Sequence, residues 1–171
     1  MTLAQIIHLI ERIAGSQPTV GSIVREDVRL LSEHPDVQYT AFAWTQGVHR
    51  ADGDGGWTAW QFYLFAADRV RKDGDLSNEL EVQSAAAQLL GNVIRELRAA
   101  GSLRVQTYTL HPFRERFADE CAGMYADVTI QAPGAGDCYD DFEGYFSGLE
   151  PRAFQLIDAG GARPADTEKL I

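Results

Sequence analysis

The order of apolar and polar positions divides the chain into alternating helical and extended stretches. Near the amino end, Leu3, Ile6, Ile7, Leu9, Ile10 and Ile13 recur at helical spacing. Thr2 and Gln5 stand at the spacing of a capping box, and Gly15 closes the pattern. Val20, Ile23 and Val24 predict a first strand within 17–28, kept irregular by Pro18 and Gly21. Residues 25–36 read as a polar connector around Leu30 and Leu31, punctuated by Pro35 and Asp36. Val37 to Gln46 alternates as a strand does, and Gly47 to Gly56 reads as a long hairpin loop.

The centre of the chain is a strand followed by a long helix. Trp57 to Ala66 is rich in aromatic residues, which suits a pleated, half-buried surface. Its odd set (Trp57, Ala59, Gln61, Tyr63, Phe65) and its even set (Thr58, Trp60, Phe62, Leu64, Ala66) face opposite ways. Both sets carry large apolar groups, so both faces are expected to be covered, one by helix and the other by another segment or subunit. Leu80, Val82, Ala86, Leu89, Leu90, Val93, Ile94 and Leu97 then form one apolar helical stripe. Asn78 is placed to cap it with Glu81 completing a capping box, Arg95 and Arg98 complement the dipole, and Gly101 ends it.

Leu103 to Leu110 alternates again, with Val105, Thr107 and Thr109 on one face and Gln106, Tyr108 and Leu110 on the other, and His111-Pro112 is read as its end. A charged linker, Phe113 to Gly123, leads to a last strand, Met124 to Gln131. After a break at 133–136 the composition changes. Asp137, Asp140, Asp141, Glu143 and Glu150 are interleaved with Tyr139, Phe142, Tyr145, Phe146 and Phe154. That is too aromatic for a disordered tail, so residues 137–171 read as an arm that docks on its own domain or on a neighbour. The fold class expected is α+β: residues 1–136 form a mixed or antiparallel sheet of about five strands backed by two helices, followed by the C-terminal arm.

Composition narrows the function classes. A chain of 171 residues fits one domain. Its net charge of −10 argues against a sequence-specific or general nucleic-acid partner and against an anionic membrane surface. No apolar run approaches the roughly 18 residues of a membrane span, and the amino end has no signal-peptide pattern. Cys121 and Cys138 are too few for a disulfide framework and lack zinc-site spacing, which makes a reducing cytoplasm the default.

The candidate chemistry is thin. Asp52-Gly-Asp54-Gly lacks the further oxygen ligands and the closing Glu of a calcium loop and reads as a solvated turn. Cys121 with His111 is the only nucleophile and base worth weighing, but Asp119 and Glu120 beside Cys121 disfavour its thiolate. The pairs Asp119/Glu120 and Asp140/Asp141 diverge if extended, and no phosphate loop, GxSxG or HExxH is present. No catalytic residue, metal or cofactor is expected, and the chain is read as a non-enzyme.

Helix, three strands, long helix, two strands is an order similar to that of the tail-completion (tail-terminator) proteins of long-tailed bacteriophages. Phe65–Arg69, Asp75–Ser84 and above all Pro112–Ala126 resemble uncharacterised phage and prophage proteins of gut bacteria. The resemblance spans roughly residues 1–138 and ends before the acidic arm. It implies a virion protein at the head–tail junction, assembled in the host cytoplasm. As a homo-oligomer it would form a ring, hexameric by the same resemblance, in contact with tail-tube, sheath or neck proteins. It carries no catalytic residue across. The interface residues expected are Trp57 and Trp60 as an aromatic anchor, Arg114, Arg116, Asp119 and Glu120 from the matched segment, and Tyr139, Phe142, Tyr145 and Phe146 from the arm. The alternatives are a neck or connector subunit and a non-enzymatic protein-binding module, the latter marked by an exposed aromatic patch around Trp57 and Trp60.

Overall fold

A computed structural model describes residues 1–25, 29, 31, 35–51, 57–70, 76–101, 103–115, 121–133, 155–158 and 161–164. In chain order the elements are α1 (Leu3–Ser16), β1 (Ser22–Arg25), β2 (Ala41–Ala51), β3 (Trp57–Arg69), α2 (Leu76–Ala99), β4 (Arg104–Glu115), β5 (Cys121–Pro133), β6 (Gln155–Asp158) and β7 (Gly161–Pro164). The strands form one mixed, seven-stranded sheet in the order β4-β5-β3-β2-β1-β6-β7. β1 runs parallel to β2 and β6, and every other neighbouring pair is antiparallel. The fold is α+β, with two helices packed on the sheet. It exceeds the strands expected because residues 155–164 add a hairpin to the β1 edge.

α1 forms as its pattern predicts. The Thr2 hydroxyl accepts from the Gln5 N–H at 3.3 Å, and the Gln5 side chain accepts from the Thr2 N–H at 2.7 Å. Ile6, Leu9, Ile10 and Ile13 are buried against the sheet. They meet Phe42, Phe62, Leu64, Val128 and Ile130 from the strands and Leu90, Ile94 and Leu97 from α2. The even set of β3 supplies this core, so one sheet face is sealed by helices.

Glu11 is an exception on the buried side of α1. Its side chain is fully buried, and its two oxygens accept from Arg25 on β1 at 2.6 and 2.5 Å. The Trp44 indole N–H on β2 donates to it at 3.0 Å. A buried carboxylate persists only when its lone pairs are met in this way, and here the same bonds fix the helix to two strands.

Several boundaries differ from the sequence reading. β2 and β3 run to Ala51 and from Trp57, so the hairpin loop is much shorter than 47–56; Asp52 and Asp54 lie outside the described residues. β4 runs through Pro112 to Glu115 rather than ending at His111-Pro112. It is an edge strand, where a missing backbone N–H costs no ladder bond. A register shift between Val105 and Tyr108 resets its alternation, so Val105, Tyr108 and Leu110 all pack toward the helix-side core. α2 begins at Leu76, which puts Asn78 inside the helix rather than at its cap. Leu80 is 57% exposed, although it was expected in the apolar stripe. It stands near the amino end of α2, about 9 Å along the axis before Ala86, where the buried stripe begins. Gly101 does end the helix, with φ of +69°.

The opposite sheet face has a second, smaller core. The parallel β1–β2 pair needs a crossover connection. Leu31 and Val37 from that connection are buried with Val24, Ala41, Ala43, Ala67 and Ile157. The alanines keep this end of the face low enough for the connection to lie on it, and the Tyr39 hydroxyl donates to the Leu31 carbonyl to hold it there. Gly123 is required beside them, since a Cβ there would stand 2.0 Å from the Ala66 carbonyl oxygen on β3.

Candidate interaction face

Beyond the crossover, the same face carries large side chains that no described helix covers. Cross-strand register assembles it: Phe65 opposes Tyr125, Tyr63 opposes Asp127, and Gln61 opposes Thr129 on β3 and β5. On β4, His111 opposes Tyr125 and Thr109 opposes Asp127. The aromatic rings interlock: Tyr125 is stacked by His111 at 4.8 Å between centroids and by Phe65 at 5.4 Å, while Phe113 meets Phe65 edge-on at 6.0 Å. Tyr63 meets Tyr125 edge-on at 6.5 Å. All five residues are half-buried.

Asp127 sits at the centre of this surface. The Gln61 amide nitrogen donates to both its oxygens, at 2.9 and 3.0 Å, and lies 3.2 Å from the Tyr63 hydroxyl. Among the described residues no cation reaches the carboxylate; its partners are neutral. The result is a half-buried negative charge framed by aromatic rings, an arrangement suited to an ammonium or guanidinium group.

The residues singled out from sequence fall in different places. Trp57 lies on this face at its far end, with the Arg104 guanidinium 4.2 Å from a Trp57 ring centroid. Trp60 points the other way and packs against the helix-side core. The two tryptophans therefore form no common patch. Arg114 also belongs to the helix side, where it pairs with Glu79 of α2 at 2.6 Å and ties the edge strand to the helix. Arg116, Asp119, Glu120, Tyr139, Phe142, Tyr145 and Phe146 lie outside the described residues. The sequence reading did not find Asp127 or Tyr125 as site residues, and weighed His111 only as a base for Cys121. Only the odd set of β3, with Gln61, Tyr63 and Phe65 together, signalled the face.

Cys121 and His111 are not brought together. Cys121 is 1% exposed and opposes Glu115, whereas His111 opposes Tyr125, which places them about 13 Å apart along the ladder. A groove of about 390 Å³ lies where the end of α1, the end of β3 and α2 meet. Thr40, Asp68, Asn78, Glu81, Gln88 and Asn92 line part of it. Asp68 is engaged there, accepting from the Thr40 hydroxyl and the Arg69 N–H, each at 2.7 Å. Among the described residues no group of three or more His, Cys, Asp or Glu is placed to hold a metal ion. No described helix is long and apolar enough to cross a membrane.

No protein-family model and no curated protein matches the chain.

Proposed function

We propose that the protein is a structural, non-enzymatic subunit of a bacteriophage virion that forms a homo-oligomeric ring at the head–tail junction as a tail terminator. The observation that carries this reading is the asymmetry of the sheet. One face is sealed by α1 and α2, while the other presents interlocked, half-buried aromatic rings around the Asp127 carboxylate. A face built in this way suits an oligomer interface, whose buried centre is enriched in aromatic residues and whose desolvated charges meet partners. The resemblance of Pro112–Ala126 to phage and prophage proteins supplies the setting, namely assembly in the host cytoplasm against tail-tube, sheath or neck proteins. Light scattering on the purified chain, followed by negative-stain imaging, tests the reading. The expected result is a closed ring with a mass near six times 18.9 kDa. A chain that stays monomeric both alone and with tail-tube protein refutes it.

A further inference from the structure

Resting on that reading, we infer that the Asp127 face of one subunit receives the outer stripe of α2, at Gly91 and Arg95, from a second copy of this chain. Two independent features of α2 point outward. The Arg95 side chain is 69% exposed, and among the described residues its guanidinium meets only the adjacent Glu96, at 3.7 Å. The other described arginines around the molecule are already engaged: Arg25 with Glu11, Arg114 with Glu79, Arg69 over Tyr39, Arg98 over Tyr108 and Arg104 over Trp57.

Gly91, one turn before Arg95, is the second feature. Glycine in the interior of a helix costs stability relative to alanine. A Cβ at Gly91 would meet nothing within 4 Å among the described residues, so their packing does not require the missing side chain. Close approach by another body does. Gly91 leaves a flat step beside the Arg95 cation, and the Asp127 face offers the complement: half-buried Tyr63 and Tyr125 rings beside a carboxylate that meets no cation among the described residues. Guanidinium against carboxylate with an aromatic frame combines ion pairing and cation–π contact.

The geometry sets the symmetry. α2 packs on the helix-side face, so its outer stripe and the Asp127 face lie on opposite sides of the subunit. A contact between them joins unlike surfaces. It is head-to-tail, and it builds a closed ring where the rotation closes.

The test is sedimentation velocity over a concentration series on the full chain and on Asp127→Arg, Arg95→Asp, the double swap and Gly91→Gln. Each single charge change is expected to raise the half-assembly concentration at least about tenfold, and the double swap to recover most of the loss. Gly91→Gln is expected to weaken assembly while leaving the circular dichroism spectrum and Tm of the subunit undiminished. It keeps the test decisive even if Asp127→Arg fails to fold. Wild-type-like rings from Arg95→Asp or Gly91→Gln overturn this contact and leave the ring reading standing. A wild type that stays monomeric both alone and with tail-tube protein, or one that forms only a two-fold dimer, overturns both.

Discussion

Replacing Arg25 by alanine isolates the energetics of the buried charge under α1. The substitution removes both charged donors to Glu11 and leaves a fully buried carboxylate with the Trp44 N–H as its bond from a side chain of the sheet. Breaking a buried pair from one side costs about 3–5 kcal/mol. Arg25 retains 23% exposure, so water can reach the site from its side, and the lower end, about 3 kcal/mol, applies. With a urea m-value of about 2 kcal/mol/M, the unfolding midpoint falls by about 1.5 M. Tryptophan fluorescence reports the transition. Trp44→Phe, which removes only the indole donor, is expected to cost about 1–2 kcal/mol. The apolar double variant Glu11→Leu with Arg25→Met removes charge and countercharge together and is expected to lie within about 1 kcal/mol of wild type. An Arg25→Ala loss below about 1 kcal/mol would refute the reasoning, as would a double variant no more stable than the single one.

Gly123→Ala forces a Cβ to within 2.0 Å of the Ala66 carbonyl oxygen, so the β3–β5 ladder must separate; a loss of about 3 kcal/mol or more, or failure to fold, is expected by denaturation and solubility. Gly91→Ala meets nothing inside the subunit and is expected to raise its stability by about 0.5–1 kcal/mol, measured under conditions that keep it monomeric. Arg114→Ala takes the cation from Glu79, whose side chain is 13% exposed and keeps the Gln83 amide as a donor at 3.3 Å, and is expected to cost about 2 kcal/mol and to speed amide exchange along β4. In a Cys138→Ser background, Cys121 is expected to resist a thiol reagent in the native state and to react at once in denaturant, because it is 1% exposed.

Local signals carried most of the architecture. The Thr2–Gln5 box and the spacing of Ile6, Leu9, Ile10 and Ile13 specify α1 on their own, because every determinant lies within a few residues. The strand ends were less legible. Pro112 reads as a stop until β4 is known to be an edge, and the shift between Val105 and Tyr108 leaves no mark in the alternation itself. β6 joins β1 across more than a hundred residues of chain, and a Leu156-Ile157 pair is too short to announce a strand. The interaction face is less legible still. Gln61 and Asp127 are 66 residues apart and meet only through the β3–β5 register. The separation of Trp57 from Trp60, by contrast, was implicit from the start, since residues three apart on a strand face opposite ways.

A residue that the fold itself requires can be recognised by what its replacement would break inside the subunit: Gly123 by the carbonyl against it, Glu11 by its three side-chain hydrogen bonds, the β3 even set by the helix-side core. Gly91 and Arg95 fail that criterion, and Asp127 holds inside the subunit the neutral Gln61 amide rather than a countercharge among the described residues. Alanine suits a helix better than Gly91, Arg95 holds only an exposed neighbour, and a β-branched residue suits a strand better than Asp127. The fold even commits Gln61 to keeping that carboxylate solvated by amide hydrogens. These surplus features do not scatter over the surface. They fall on two opposed faces, with a cation and a step on one and an anion between rings on the other. That distribution gives a head-to-tail contact a physical reason that a monomer lacks.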